Sequence, residues 1–144
     1  MEKFKFEKKV EDMTDDAVNK QQEEVMRWKA PEIRVLEFKG DLEVVNYETK
    51  ELTALCPMTG IQDIYEIKIS FVPDTKIPEL KSLKFYFLSY WGVPIFHEHL
   101  LTKIYRDFKT YVSPLHLKIG MTVATRGGID TSLSIGKIPK KYLN

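Results

Sequence analysis

The 144-residue chain predicts an α+β domain in which a pair of antiparallel helices covers one face of an antiparallel sheet. Three observations carry that reading. Tyr65, Ile67, Ile69 and Phe71 alternate with Glu66, Lys68 and Ser70, as in a strand with one buried face. Leu100, Leu101, Ile104, Tyr105 and Phe108 form an apolar stripe opposite Lys103, Asp107 and Lys109, as in a helix lying on a core. Finally, the candidate elements run strand, strand, helix, helix, strand, strand, with no repeat, low-complexity tract or interdomain linker between them.

In chain order, Thr14-Asp15-Asp16 supplies an N-cap and an acidic first turn for a helix carrying Ala17, Val18, Val25 and Trp28, which Pro31 ends. Its polar surroundings predict a peripheral helix, so residues 1–30 read as a helical extension and residues 31–144 as a single domain. Ile33 to Phe38 and Leu42 to Tyr47 read as extended chain leading to Cys56 at a strand end. The segment Pro78 to Ser89 fits two periods, because Leu83, Phe85 and Phe87 alternate while Leu80, Leu83 and Phe87 have helical spacing. Proline suits a first helical position, so this segment is read as a helix starting at Pro78, with Lys81 and Lys84 on one face. The second helix spans His99 to Val112 and stops before Pro114. Strand character returns from Leu115 to Thr125, and Arg126-Gly127-Gly128 makes a turn.

Composition narrows the function classes. A content of 43% hydrophobic and 30% charged residues is that of an ordinary globular protein. No apolar run approaches the roughly 18 residues of a membrane span, and the first residues lack the apolar stretch of a signal peptide. A cytoplasmic protein is expected, with no membrane partner. Lys and Arg number 22 against 21 Asp and Glu, so no bulk charge draws the chain to nucleic acid. The default partner is a small molecule.

Cys56 is the one cysteine of the chain and lies in Thr53-Ala-Leu-Cys-Pro-Met-Thr-Gly60, with Asp63 seven positions on. A lone thiol forms no intramolecular disulfide, which leaves a buried small hydrophobe or a nucleophile. An antiparallel turn between two strands would let thiol and carboxylate share a small pocket. There Asp63 makes better sense as a proton donor to a ligand than as a base for Cys56, because a carboxylate beside a thiolate opposes it. Asp63 closing a turn around Gly60 is the plainer alternative. Glu98 stands where a carboxylate suits the first turn of a helix, or where its two oxygens could accept from adjacent N–H donors of a guanine-like ring. His97 could move a proton or hold a ligand, or be a structural hydrogen-bonding group. Zinc ranks low, since Cys56, His97, His99 and His116 follow no zinc-site spacing, and no metal is expected. No glycine-rich nucleotide loop is present. Lys81, Lys84 and Arg126 could meet phosphates or be solvated surface charge.

Taken together, Leu55-Cys-Pro-Met-Thr-Gly60 with Asp63, Glu79-Leu-Lys-Ser-Leu-Lys-Phe-Tyr86, Phe96-His-Glu98 and Arg126-Gly-Gly128 closely resemble the short, unimodular 7-cyano-7-deazaguanine reductases of queuosine biosynthesis, a tRNA-modification pathway. The likeness spans Leu52 to Ile129, and its most specific element is Glu-Leu-Lys-Ser-Leu-Lys. It implies a tunnelling fold, in which sheets from several subunits close into a barrel and active sites form between neighbouring chains, hence an obligate homo-oligomer. It also implies NADPH-dependent reduction of a nitrile to a primary amine. Cys56 would add to the nitrile carbon as a thioimide, Asp63 would deliver a proton, and His97 would assist proton transfer and touch the substrate. Glu98 would grip the pyrimidine edge, with Glu79 and Leu80 completing the substrate pocket. Leu80, Lys81, Lys84, Arg126 and Gly127 would meet NADPH.

The chain departs from that pattern at Met58, where many members carry a cationic or polar residue, and at Phe85, where Leu or Tyr is more usual. Two other readings compete. A QueF-like amidinotransferase would add ammonia to a nitrile on tRNA without NADPH, against which stand Glu79, Lys81, Lys84 and the near-neutral charge. A non-catalytic purine-binding protein of the same fold would use Cys56 only for packing.

Overall fold

A computed structural model describes Phe4 and residues 13–143. Its elements are helix α1 (Asp15–Arg27), strands β1 (Val35–Glu37), β2 (Val45–Leu55), β3 (Gln62–Val72) and β4 (Lys76–Pro78), helices α2 (Leu80–Leu88) and α3 (His97–Val112), and strands β5 (His116–Arg126) and β6 (Ile129–Lys137). The main sheet is antiparallel in the order β2-β3-β5-β6, while β1 and β4 form a separate antiparallel pair. The predicted α+β arrangement is the observed one. No helix among the described residues is long and apolar enough to cross a membrane.

Strand β3 is central because its alternation gives it one wholly buried face. Asp63, Tyr65, Ile67, Ile69 and Phe71 all point to that face, each 4% exposed or less. On β5, Leu117, Ile119, Met121 and Val123 continue the same layer. Leu100, Leu101, Ile104, Phe108 and Val112 of α3 close over it, and the Phe108 ring meets Phe71 edge-on at 5.2 Å. Each such side chain contributes about 1.5–3 kcal/mol by leaving water, so the sheet and helix are held by one continuous apolar layer.

Two boundaries and one placement differ from the sequence reading. Helix α2 does not begin at Pro78, which ends β4 opposite Val35; Glu79 is its N-cap, accepting from the N–H groups of Lys81 at 2.7 Å and Ser82 at 2.8 Å. These donors also hold the Glu79 carboxyl below its ordinary pKa. Helix α3 begins two residues early, at His97, because Phe96 is extended and its carbonyl accepts from Leu100 N–H at 2.9 Å. Helix α1 is capped by Thr14 as expected, yet it is not peripheral: Val25 is fully buried in the common core. The Lys103 ammonium, on α3, donates to the carbonyl of Trp28 at 2.7 Å and so fastens the end of α1.

The β5–β6 hairpin turns through Gly127 (φ 58°) and Gly128 (φ 74°), the left-handed pair that a two-residue turn of this hand requires. Gly136 in β6 has φ 88°, and a Cβ there would run into the carbonyl oxygen of Leu117. Gly136→Ala should therefore lower unfolding stability by at least about 1–3 kcal/mol from backbone conformation alone. Urea denaturation checks this, and a change below about 0.5 kcal/mol would contradict it.

Candidate active site

Cys56 follows β2 directly, and its place is set by backbone bonds on both sides. Its N–H donates to Ile61 and its carbonyl accepts from Gly60, both at 2.9 Å, which closes the turn between β2 and β3. One residue earlier, Leu55 N–H donates to Val93 at 2.9 Å and Leu55 carbonyl accepts from Ile95 at 3.1 Å. That short parallel bridge, centred on Leu55 and Pro94, delivers the start of α3 beside the cysteine turn.

The side chains then converge. Asp63 and Tyr65 are neighbours on the buried face of β3, and the Tyr65 hydroxyl lies 2.7 Å from His97 Nδ1. The same nitrogen is 3.9 Å from Asp63 Oδ2, and the Asp63 side chain is only 5% exposed. Burial raises the Tyr65 phenol well above its usual pKa, and the charges of Asp63, Cys56 and Glu98 raise it further, so all four groups share one electrostatic neighbourhood. Cys56 itself is half-buried, compatible with a thiol that a ligand reaches.

The predicted catalytic and substrate residues Cys56, Asp63, His97 and Glu98 are thus brought together. Arg126 joins them, with Nε 3.8 Å from Asp63 Oδ1 and a guanidinium N–H donated to the Gln62 carbonyl. Its neighbour Gly127 sits in an open turn, where positive φ, not close packing, calls for glycine. Glu79, Leu80, Lys81 and Lys84 form a second group at the start of α2. Among the described residues, no side-chain hydrogen bond or ion pair connects it to the first.

The second group borders a groove of about 460 Å³ between α2 and β2, lined by Leu80, Lys84, Phe87, Tyr47 and Glu48 among others. Lys81 and Lys84 are both exposed one turn apart on α2. Of the two ammonium groups Lys84 lines the groove, whose walls carry Glu48 and Glu51 as well as the apolar Leu80, Leu83 and Phe87.

Two residues of this region were not legible as site residues in the sequence. Tyr65 read only as an apolar strand position. Gln22, on α1, is 3% exposed and bonds four ways: Nε2 to the Pro94 carbonyl at 3.1 Å and to Gln21 Oε1 at 3.2 Å, and Oε1 to Phe96 N–H at 3.0 Å and His99 Nδ1 at 2.9 Å. It caps α3 from outside. The histidines consequently have separate tasks, His97 on Tyr65, His99 on Gln22, and His116 against the Tyr142 ring.

A sequence model of the QueF-like protein family matches residues 63–141, more than half of the chain. The chain belongs to this family. It is 36% identical over 110 residues to the NADPH-dependent 7-cyano-7-deazaguanine reductase of Thermotoga maritima, covering 76% of this chain and 80% of that protein. A protein of the same name from Syntrophus aciditrophicus is 42% identical over 90 residues, 62% of this chain and 64% of the other. Among solved structures, the archaeosine synthase QueF-Like in its apo form superposes with a TM-score of 0.60 at 19% identity, over 71% of this chain and all of that one. The last likeness is one of fold.

Gln22 generates a direct prediction for the QueF-like chain. Gln22→Leu keeps the volume but leaves the Pro94 carbonyl and Phe96 N–H without their partner, so stability should fall by about 1–3 kcal/mol in urea unfolding. An unchanged midpoint would show that the clamp does not hold the start of α3.

Proposed function

We propose that this chain reduces the nitrile of 7-cyano-7-deazaguanine to the primary amine, with Cys56 as nucleophile. The observation that carries the reading is the convergence of Cys56, Asp63, His97 and Glu98 around Tyr65, in a chain whose relatives bear the reductase name.

The sulfur of Cys56 adds to the nitrile carbon as the nitrile nitrogen takes up a proton, which converts an unreactive triple bond into a thioimide. Asp63, buried near His97, would give that proton, and His97 would assist its transfer. Nitrile to amine takes four electrons, which two NADPH molecules bound in succession would supply, one hydride each. Between the two reductions the Cys56 thiolate leaves, and the imine must stay shielded from water until its nitrogen and carbon are saturated. Glu98, exposed at the first turn of α3, accepts from the pyrimidine N–H groups and orients the ring.

No side-chain hydrogen bond or ion pair among the described residues joins the two groups within one chain, which is consistent with an assembled site. Lys81 and Lys84, with Leu80 and Glu79, complete a pocket in a neighbouring subunit, and sheets from successive subunits close the barrel of the tunnelling fold. Arg126 lies against Asp63 and so extends the phosphate-binding set towards the chemistry. Residues 31–144 form the catalytic domain, with residues 1–30 as an extension whose helix braces it, in a cytoplasmic enzyme of queuosine biosynthesis.

A second reading shares this fold with an archaeosine synthase: addition of ammonia to a nitrile on tRNA, which forms an amidine without NADPH. Assays with the free base and NADPH, and with nitrile-bearing tRNA and ammonia, separate the two. NADPH oxidation at two per amine formed is expected with the base; turnover on tRNA alone would overturn the reductase reading.

Two sets of variants divide the roles. Asp63→Asn should slow reduction on the order of 100- to 10,000-fold while substrate still binds, and undiminished turnover would remove Asp63 as proton donor. Lys81→Ala and Lys84→Ala should each raise KM for NADPH about tenfold or more while that for the base changes little. Equal effects on both would undo the division of the pocket.

A further inference from the structure

We propose that Tyr65 is a positioning residue: its hydroxyl donates to His97 Nδ1 and thereby fixes the imidazole as the neutral tautomer that carries its proton on Nε2, facing the substrate. The inference rests on the reductase reading only for what the Nε2 proton does. The tautomer itself follows from hydrogen-bond bookkeeping.

Tyr65 is 1% exposed, so its hydroxyl proton has no access to bulk water and needs an acceptor within the protein. Among the described residues, His97 Nδ1 at 2.7 Å is the one partner of that hydroxyl. Were Nδ1 to carry the proton and donate to the phenol oxygen, the phenol's own proton would be left buried without an acceptor, at a cost comparable to a lost hydrogen bond. Asp63 does not compete for an Nδ1 proton, because 3.9 Å is beyond hydrogen-bonding reach. The phenol remains protonated at any pH at which the protein works, since burial and the charges of Asp63, Cys56 and Glu98 all oppose its ionisation. Nδ1 is therefore an acceptor and Nε2 holds the hydrogen.

The consequence is directional. His97 Nε2 has no hydrogen-bond partner among the described residues, and the His97 side chain is 26% exposed, so the ring presents an N–H donor to whatever occupies the pocket. A donor there hydrogen-bonds and polarises the nitrile nitrogen; the other tautomer would offer only a lone pair. The sequence reading treats His97 as a proton helper, and Tyr65 decides which form of it the substrate meets.

Full-length protein labelled with ¹⁵N-histidine tests this without substrate, so that failure here is separable from failure of the reductase reading. Assigned through His97→Gln, the His97 resonances of the unsubstituted protein should show a protonated Nε2 and an unprotonated Nδ1, and Tyr65→Phe should give a mixture of tautomers. A protonated Nδ1 in the unsubstituted protein, or an unchanged Tyr65→Phe spectrum, would overturn the proposal. In turnover assays, Tyr65→Phe should lower kcat on the order of 10- to 100-fold, with KM for the deazaguanine nitrile within about twofold. Because Tyr65 acts through His97, adding Tyr65→Phe to His97→Gln should lower kcat no further. A full additional loss in the double variant would assign Tyr65 a merely structural role and end the proposal.

Discussion

The short parallel bridge at Leu55 is the constraint on which the site depends. Two backbone hydrogen bonds, from Leu55 to Val93 and from Ile95 to Leu55, join the end of β2 to the approach of α3. Cys56 is the next residue on one side and His97 lies two residues beyond Ile95 on the other. Thiol and imidazole are thus tied to one scaffold made of main-chain groups, which have no rotamers to lose. The alternation of β3 then fixes Asp63 and Tyr65 on the same buried face, beneath the imidazole. Gln22 braces the outer side of the bridge, so the early helix α1 is part of the support although it contributes no reacting group.

This arrangement assigns buried polar groups to each other in a definite way. A phenol, a carboxylate and an imidazole in one low-dielectric pocket are stable only if each proton has a place. The Tyr65 hydroxyl is hydrogen-bonded to His97 Nδ1, and Asp63 is flanked by His97 on one side and Arg126 on the other. Among the described residues, what remains without a hydrogen-bond partner there is the half-buried thiol of Cys56, the Nε2 of His97 and the exposed carboxylate of Glu98. The α2 group follows the opposite logic. Glu79 uses both oxygens to cap its own helix, leaving Lys81 and Lys84 exposed along one face of α2.

The fold was legible where one chemical pattern repeats along the chain. The β3 alternation, the α3 stripe, the Thr14 cap and the double glycine turn are local signals, and each is found where the residues put it. Pro78 misled because a proline that suits a helix start equally suits the end of a short strand, and the carboxylate next to it settles where α2 begins. Cys56, Asp63, His97 and Glu98 stood out because their types carry chemistry. Tyr65 and Gln22 did not, for two reasons. A tyrosine on a buried strand face looks like core until its hydroxyl's partner is known, and Gln22 meets Phe96 across 74 residues of sequence, a distance at which spacing carries no signal.

A sulfur held by this bridge is expected to bond directly to the cyano carbon, and intact-mass spectrometry tests that claim most simply. Protein saturated with 7-cyano-7-deazaguanine in the absence of NADPH should gain the mass of one nitrile molecule per chain, and Cys56→Ser should gain none. An unmodified thiol under saturation, in a preparation that nonetheless forms the amine when NADPH is added, would contradict the account.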